Sequence, residues 1–126
     1  MTKVLVVDDE FLIRSSLGQF LASEGYEVMT AENGLKGLEM AGAEHFDFVI
    51  TDLSMPGLDG WELLDSLMKF SSPPRVIVIT GQDTEGNRRR VQEKGGWGYV
   101  DKSSLVHHIG DALKTGFNNG NKRPVG

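Results

Sequence analysis

Five polar residues in this 126-residue chain combine type and position in a way that could do chemistry. Asp8 and Asp9 follow Val-Leu-Val-Val, Asp52 follows Phe-Val-Ile-Thr, Thr80 follows Val-Ile-Val-Ile, and Lys102 follows Gly-Tyr-Val-Asp. Carboxylates bind hard cations, an ammonium neutralises phosphoryl oxygens, and a hydroxyl can donate a hydrogen bond to a phosphorylated product. Each residue ends an apolar run that reads as a strand, so one parallel sheet can deliver all of them to a single edge. Together they form a phosphate-handling set. Singly they have plainer readings: Asp9 as a helix N-cap, Thr80 as a strand-end hydroxyl, Lys102 as solvated surface.

The elements that must position this set alternate along the chain. Strand-like runs fall at 3–7, 27–31, 46–51, 75–80 and 98–100. The runs Val4-Leu5-Val6-Val7 and Val76-Ile77-Val78-Ile79 are apolar on both faces, as strands covered by helices on both sides must be. The run at 27–31 is more polar and reads as an edge strand. Between them, Ile13, Leu17 and Leu21 recur at helical spacing over 11–23, as do Leu35, Leu38 and Ala41, then Leu63, Leu64 and Leu67. Leu105, Ile109, Leu113 and Phe117 define a fifth helix, with Ser103 or Ser104 as its N-cap. Strand–helix alternation of this kind predicts an α/β domain, a doubly wound parallel sheet of five strands with five helices joined by right-handed crossovers.

The fourth helical stretch, 83–94, is unusual. Val91 is its one large apolar residue, Gly86 lies inside it, and Arg88, Arg89 and Arg90 are consecutive. So little apolar surface predicts weak docking. The arginine run reads as a solvated face, or alternatively as a strip for an acidic partner.

Length and composition fit one domain with a real core. We expect it to span 1–117, with 118–126 as a flexible tail or linker remnant. The chain lacks cysteine, so neither a disulfide framework nor a thiolate metal site can form. No apolar run approaches the ~20 residues that span a bilayer, and no signal-peptide pattern opens the sequence. A cytoplasmic protein without membrane contact is the expectation. The net charge of −5 argues against direct nucleic-acid binding by this domain. The acidity concentrated in Asp8, Asp9, Glu10 and Asp52 points instead to a cation site.

The intervals between the polar strand ends follow one order. Two helices and a strand separate Asp9 from Asp52; one helix separates Asp52 from Thr80, and one separates Thr80 from Lys102. With Val-Val-Asp8-Asp9-Glu10, Thr51-Asp52-Leu53-Ser54-Met55-Pro56-Gly57-Leu58-Asp59-Gly60, Thr80-Gly81 and Gly98-Tyr99-Val100-Asp101-Lys102 in that order, the chain resembles the receiver domain of bacterial two-component response regulators from about residue 3 to 117. Asp-x-x-Met-Pro-x-x-Asp-Gly is a specific signature. The resemblance implies the flavodoxin-like strand order 2-1-3-4-5.

It also implies roles. Asp52 would accept a phosphoryl group from a phosphohistidine on a sensor histidine kinase or a histidine phosphotransfer protein. Asp9, Asp52 and the backbone carbonyl of Ser54 would be ligands of Mg²⁺ (or Mn²⁺), with Asp8 close by or acting through water. Lys102 would pair with a phosphoryl oxygen, Thr80 would move toward the acyl phosphate, and Tyr99 would turn into the space so vacated. Ser54 and Gln82 occupy positions that influence phosphate lifetime. The fourth helix, fifth strand and fifth helix would form the readout surface, with Trp97 and the arginines on or beside it. That surface would meet a downstream effector or an output domain, or support a phosphorylation-linked dimer. Such a protein is a signalling switch that assists its own modification rather than an enzyme acting on an external substrate.

The family usually carries proline, with a cis peptide, after the lysine; here Ser103 follows. A cis bond before a non-proline residue costs about 2.5–4 kcal/mol, so a trans Lys102–Ser103 peptide and a shifted loop are expected. A receiver-like module that binds its partner without phosphorylation is the alternative. A flavin mononucleotide carrier of flavodoxin type would need a Ser/Thr/Gly-rich phosphate loop where Asp8-Asp9-Glu10 stands. A phosphatase of haloacid dehalogenase type would need Asp-x-Asp there. His107 and His108 fall on the polar face of the fifth helix, away from the strand ends, and His45 sits in a loop.

Overall fold

The computed structural model describes residues 1–117; the expected tail at 118–126 lies outside them. The order of elements is β1 (Lys3–Val7), α1 (Phe11–Ser23), β2 (Glu27–Ala31), α2 (Gly34–Ala43), β3 (Phe48–Asp52), α3 (Gly60–Met68), β4 (Arg75–Thr80), α4 (Glu85–Glu93), β5 (Gly98–Asp101), a 3-10 turn (Lys102–Ser104) and α5 (Leu105–Thr115). The five strands are parallel in the order β2-β1-β3-β4-β5, as the alternation predicts.

Alternate residues along each strand feed two cores, because successive side chains leave opposite faces of a sheet. Leu5, Val7, Val49, Val76, Val78 and Tyr99 pack under α2, α3 and α4. Val4, Val6, Ile50, Ile77, Ile79 and Val100 pack under α1 and α5. This doubly covered arrangement explains why the inner strands carry unbroken apolar runs. β2 lies at an edge, and its residues are largely exposed.

Two strands differ in their bounds from the sequence reading. β3 begins at Phe48 rather than Phe46 and ends one residue later, at Asp52. Phe46 is buried, but as a loop residue beneath the Lys3 ammonium, 5.1 Å from its ring centroid. Asp47 holds that loop to β1: its Oδ2 accepts from Lys3 N at 2.8 Å, and its own N–H donates to Lys3 O at 2.9 Å. β5 runs through Asp101, which pairs in register with Thr80.

α4 starts at Glu85, capped by Thr84, whose hydroxyl accepts from Asn87 N. Val91 is its one buried residue; α5 buries Leu105, Ile109, Ala112 and Leu113. Charge substitutes for apolar packing in α4. Arg88 donates twice to Asp83, at 2.8 and 3.0 Å; Arg90 stacks 4.1 Å from the Trp61 ring centroid; Lys94 donates to Asp65 at 2.9 Å. The Arg88–Asp83 pair is partly buried, while the contacts of Arg90 and Lys94 lie at the surface and contribute little each. Backbone amides of α4 are therefore expected to exchange with solvent faster than those of α5. Hydrogen exchange read by mass spectrometry checks this; equal protection in the two helices would refute it.

Candidate functional site

β1, β3, β4 and β5 end side by side, and their last residues or the next ones carry the polar set. Asp52 is the final residue of β3 and Thr80 of β4; Asp8 follows β1, and Lys102 follows β5. Asp8, Asp52 and Thr80 are buried, whereas Asp9 and Glu10 are exposed at the rim. Carboxylate oxygens from Asp8, Asp9, Glu10 and Asp52 all lie within 4.8 Å of one another. A cleft of about 460 Å³ opens over them, lined by Asp9, Glu10, Asp52, Ser54, Thr80, Gly81, Gln82 and Lys102. A neighbouring cleft of about 530 Å³ shares Asp9 but turns toward Asn33, Leu35 and Leu58 and contains neither Asp52 nor Lys102.

The ammonium of Lys102 sits at the centre. It lies 2.8 Å from Glu10 Oε1, 3.0 Å from Asp52 Oδ2 and 3.1 Å from Asp8 Oδ2. Burial works to lower its pKa, but hydrogen bonds to Glu10 and Asp52 and the close Asp8 carboxylate outweigh burial and hold it above the usual lysine value. Lys102 is thus a fixed positive charge.

Asp8 is sealed from solvent. Its Oδ1 accepts from Glu10 N at 2.8 Å, while its buried Oδ2 has no aligned hydrogen-bond donor despite the nearby ammonium. The separation satisfies an ion pair but the angle does not satisfy a hydrogen bond. Burial is the chief cause raising the Asp8 pKa, against the backbone donor at Glu10 and the charge of Lys102, which lower it. A sealed, under-satisfied carboxylate oxygen beside two more aspartates is a place where a cation would relieve a cost. Hard oxygen donors fit Mg²⁺.

The loop signature resolves into parts with separate jobs. Asp52 Oδ1 accepts from Ser54 N at 3.3 Å. Pro56 and Gly57 turn the chain, with Gly57 at φ +76°, a conformation that favours glycine. Asp59 N-caps α3 in a reciprocal box with Glu62. Gly60 passes so close to the end of β3 that a Cβ there would overlap the Asp52 carbonyl.

Thr80 Oγ1 accepts from Gln82 N at 3.0 Å, which leaves its proton available to a donor role in the cleft. Tyr99 is fully buried among the residues under α3 and α4. Its pKa is pushed up to about 12, chiefly by burial, with Asp83, Arg88 and the Thr84 backbone around its hydroxyl. The Arg88 guanidinium lies 5.6 Å from the ring centroid, closing over it. The ring is therefore inside while Thr80 is still held by Gln82.

The remaining residues singled out from the sequence take these places. Trp97 precedes β5, at the end of the sheet opposite the cleft, where its Nε1 donates to Ala112 O at 2.9 Å and Arg75 stacks on it at 4.7 Å. It ties β5 to α5. Arg88, Arg89 and Arg90 each have a local partner: Asp83, Glu85 and Trp61. Ser104 precedes α5 without a side-chain cap, while Asp101 caps the preceding 3-10 turn. His107 is exposed and His108 half-buried on α5. Glu10 enters the site through Lys102, a contact the sequence signals only as a third acid beside Asp8 and Asp9.

Fold and site together define a doubly wound α/β module whose strand ends gather a carboxylate cluster that could hold a cation, with a partly buried ammonium beside it. Residues 4–114 match the model of the response regulator receiver domain, and the chain belongs to that family. It is 34% identical over 113 residues to the "Virulence factors putative positive transcription regulator BvgA" of Bordetella pertussis, covering 89% of this chain and 54% of the relative. It thus spans about half the length of that regulator. "Sporulation initiation phosphotransferase F" of Bacillus subtilis is 33% identical over 112 residues, 89% of this chain and 90% of the relative. A crystal structure of a response regulator from Burkholderia pseudomallei, described as having a phosphorylated aspartic acid, calcium ion and citrate, superposes with a TM-score of 0.83 at 30% identity. That match covers 91% of this chain and 68% of the other. These likenesses lend no support to a flavin carrier, a small-molecule phosphatase or a receiver that escapes phosphorylation. Among the described residues, no helix is long and apolar enough to cross a membrane.

Proposed function

We propose that Asp52 of this receiver domain is the phosphoacceptor, with Lys102 and Thr80 as the groups that receive the phosphoryl oxygens. The observation that carries the reading is the placement of the buried Asp52 at the end of β3, its Oδ2 3.0 Å from Lys102 within the carboxylate cluster. An Asp52 oxygen attacks phosphorus of a partner's phosphohistidine, the P–N bond breaks, and the imidazole leaves with the electron pair and takes a proton. Lys102 then exchanges carboxylate contacts for a phosphoryl oxygen, and Thr80 donates its hydroxyl proton to another.

Asp9, Asp52 and the Ser54 carbonyl are the residues that would hold Mg²⁺, with the sealed Asp8 behind them. Bound there, the ion would supply the charge neutralisation that lets an anionic phosphoryl group approach a carboxylate. The protein's share is positioning and fixed charge. Ser54 and Gln82 border the cleft and are the residues we assign to phosphate lifetime. The surface of α4, β5 and α5 reads out the change, with Tyr99 as its internal reporter. Partners would be a histidine kinase or phosphotransfer protein upstream and an effector or output domain downstream. Residues 1–117 would be the receiver domain and 118–126 a tail or linker, in a cytoplasmic setting.

Incubation with acetyl phosphate and Mg²⁺ tests the reading by intact mass. A gain of ~80 Da is expected, and none when EDTA replaces Mg²⁺. Equal gain with and without the ion would overturn the cation's part, and absence of any gain would overturn the phosphoacceptor assignment.

A further inference from the structure

Lys102 is aimed without the proline that usually follows the lysine in this family. Its peptide to Ser103 is trans, as are all peptide bonds among the described residues. What stands in the proline's place is a clasp. Asp101 Oδ1 accepts from Ser103 N at 2.9 Å and from Ser103 Oγ at 3.0 Å, capping the 3-10 turn Lys102–Ser104. A proline at 103 would have no N–H to give and would push the preceding residue out of helical backbone. The clasp and the proline are therefore alternative ways of directing the lysine. Asp101 is the last residue of β5, in register with Thr80, so the clasp is anchored to the sheet edge beside the cleft. From that turn, Lys102 reaches Asp52, Asp8 and Glu10.

We propose that Asp101, acting through Ser103, is a positioning residue for Lys102, and that by holding the ammonium in the cleft it raises the rate of phosphoryl acceptance while weakening divalent-cation binding. The proposal deepens the phosphoacceptor reading and rests on it for the rate. The two effects have opposite signs for a physical reason. An ammonium among Asp8, Glu10 and Asp52 stabilises incoming phosphoryl oxygens, yet it also competes with a cation for the same carboxylates. Loosening the clasp releases both constraints together. General damage to the fold would instead weaken both processes.

The test uses Asp101→Ala, Asp101→Asn, Ser103→Ala, Lys102→Ala and the Asp101→Ala/Lys102→Ala double variant. Phosphorylation rate by acetyl phosphate is followed by intact mass, and Mg²⁺ affinity by calorimetry in the absence of phosphodonor. Asp101→Ala is expected to slow phosphorylation roughly tenfold and to tighten Mg²⁺ binding about threefold. Asp101→Asn keeps the oxygen acceptor and should stay near the parent protein in both. Ser103→Ala loses one of two bonds and should fall between. In the Lys102→Ala background, Asp101→Ala should change neither quantity further. Unchanged rate and affinity in Asp101→Ala, joint weakening of both, or an undiminished effect without Lys102 would each overturn the proposal. If the parent protein accepts no phosphoryl group, the phosphoacceptor reading fails, and the Mg²⁺ arm alone decides whether Asp101 positions the ammonium.

Discussion

Asp52→Asn is expected to abolish the ~80 Da mass gain outright, because an amide cannot supply the attacking carboxylate oxygen. The change is nearly isosteric, and Asn retains an oxygen to accept from Ser54 N, so the fold should survive. Neighbouring substitutions should behave differently, since groups that neutralise charge contribute by degree. Lys102→Ala should slow the reaction by roughly a hundredfold without ending it. Asp8→Asn should slow it less and make it need more Mg²⁺. It should also raise the melting temperature of the metal-free protein near neutral pH. The sign follows from burial: the folded-state pKa of Asp8 lies above its ordinary value of 3.8. The folded protein therefore binds that proton more tightly than the unfolded chain does, and stability is lost as pH rises through the window above 3.8. Removing the charge removes that loss. A mass gain that persists in Asp52→Asn at the parent rate would move the phosphoacceptor elsewhere.

Gly60→Ala is expected to be the most damaging single-methyl change near the site. A Cβ there would overlap the carbonyl oxygen of Asp52 and sit 2.7 Å from Leu53 Cα, both of them backbone atoms that cannot swing aside. The same residue's N–H donates to Leu53 O at 3.0 Å, so moving α3 away breaks a buried bond. Overpacking of this type costs ~2–3 kcal/mol, which for a domain of this size lowers the melting temperature by on the order of 10 °C. Relief must come from β3, so phosphorylation should fall with stability. Thermal melts by circular dichroism check the first part and the acetyl phosphate assay the second. A melting temperature within two or so degrees of the parent (about 0.5 kcal/mol) would show that α3 can retreat cheaply.

That overlap also explains what could be read before folding. The signature ending in Asp59-Gly60 is visible as letters; its reason is physical, since Asp59 starts a helix while Gly60 lets that helix begin against the strand that presents Asp52. Strands buried on both faces announce themselves as unbroken apolar runs, which is why β1 and β4 have the bounds expected from sequence. β2, an exposed edge strand, keeps its expected bounds on alternation with its neighbouring helices instead. β3 does not, because Phe46 is apolar and buried yet belongs to a loop fixed by Asp47 and Lys3, partners distant along the chain. The arginine run reads as a solvated face for a similar reason. Composition reports that a guanidinium is present, whereas only the fold brings Asp83 to Arg88 and Trp61 to Arg90. The clasp of Asp101 and Ser103 is local and its Asp-x-Ser spacing is readable. What drew attention at that position was the missing proline, not the hydrogen bond that proline would have forbidden.

The attachment of α4 has a last consequence. A helix moored by guanidinium and ammonium contacts, with a single buried valine, answers to the surrounding electrolyte in a way that the greasy seat of α5 does not. At physiological ionic strength the screening length is about 8 Å, and mobile counter-ions compete for the same charges. The α4 side of the domain therefore loosens in brine and firms in dilute buffer, while α5, on the other face of the sheet, stays indifferent.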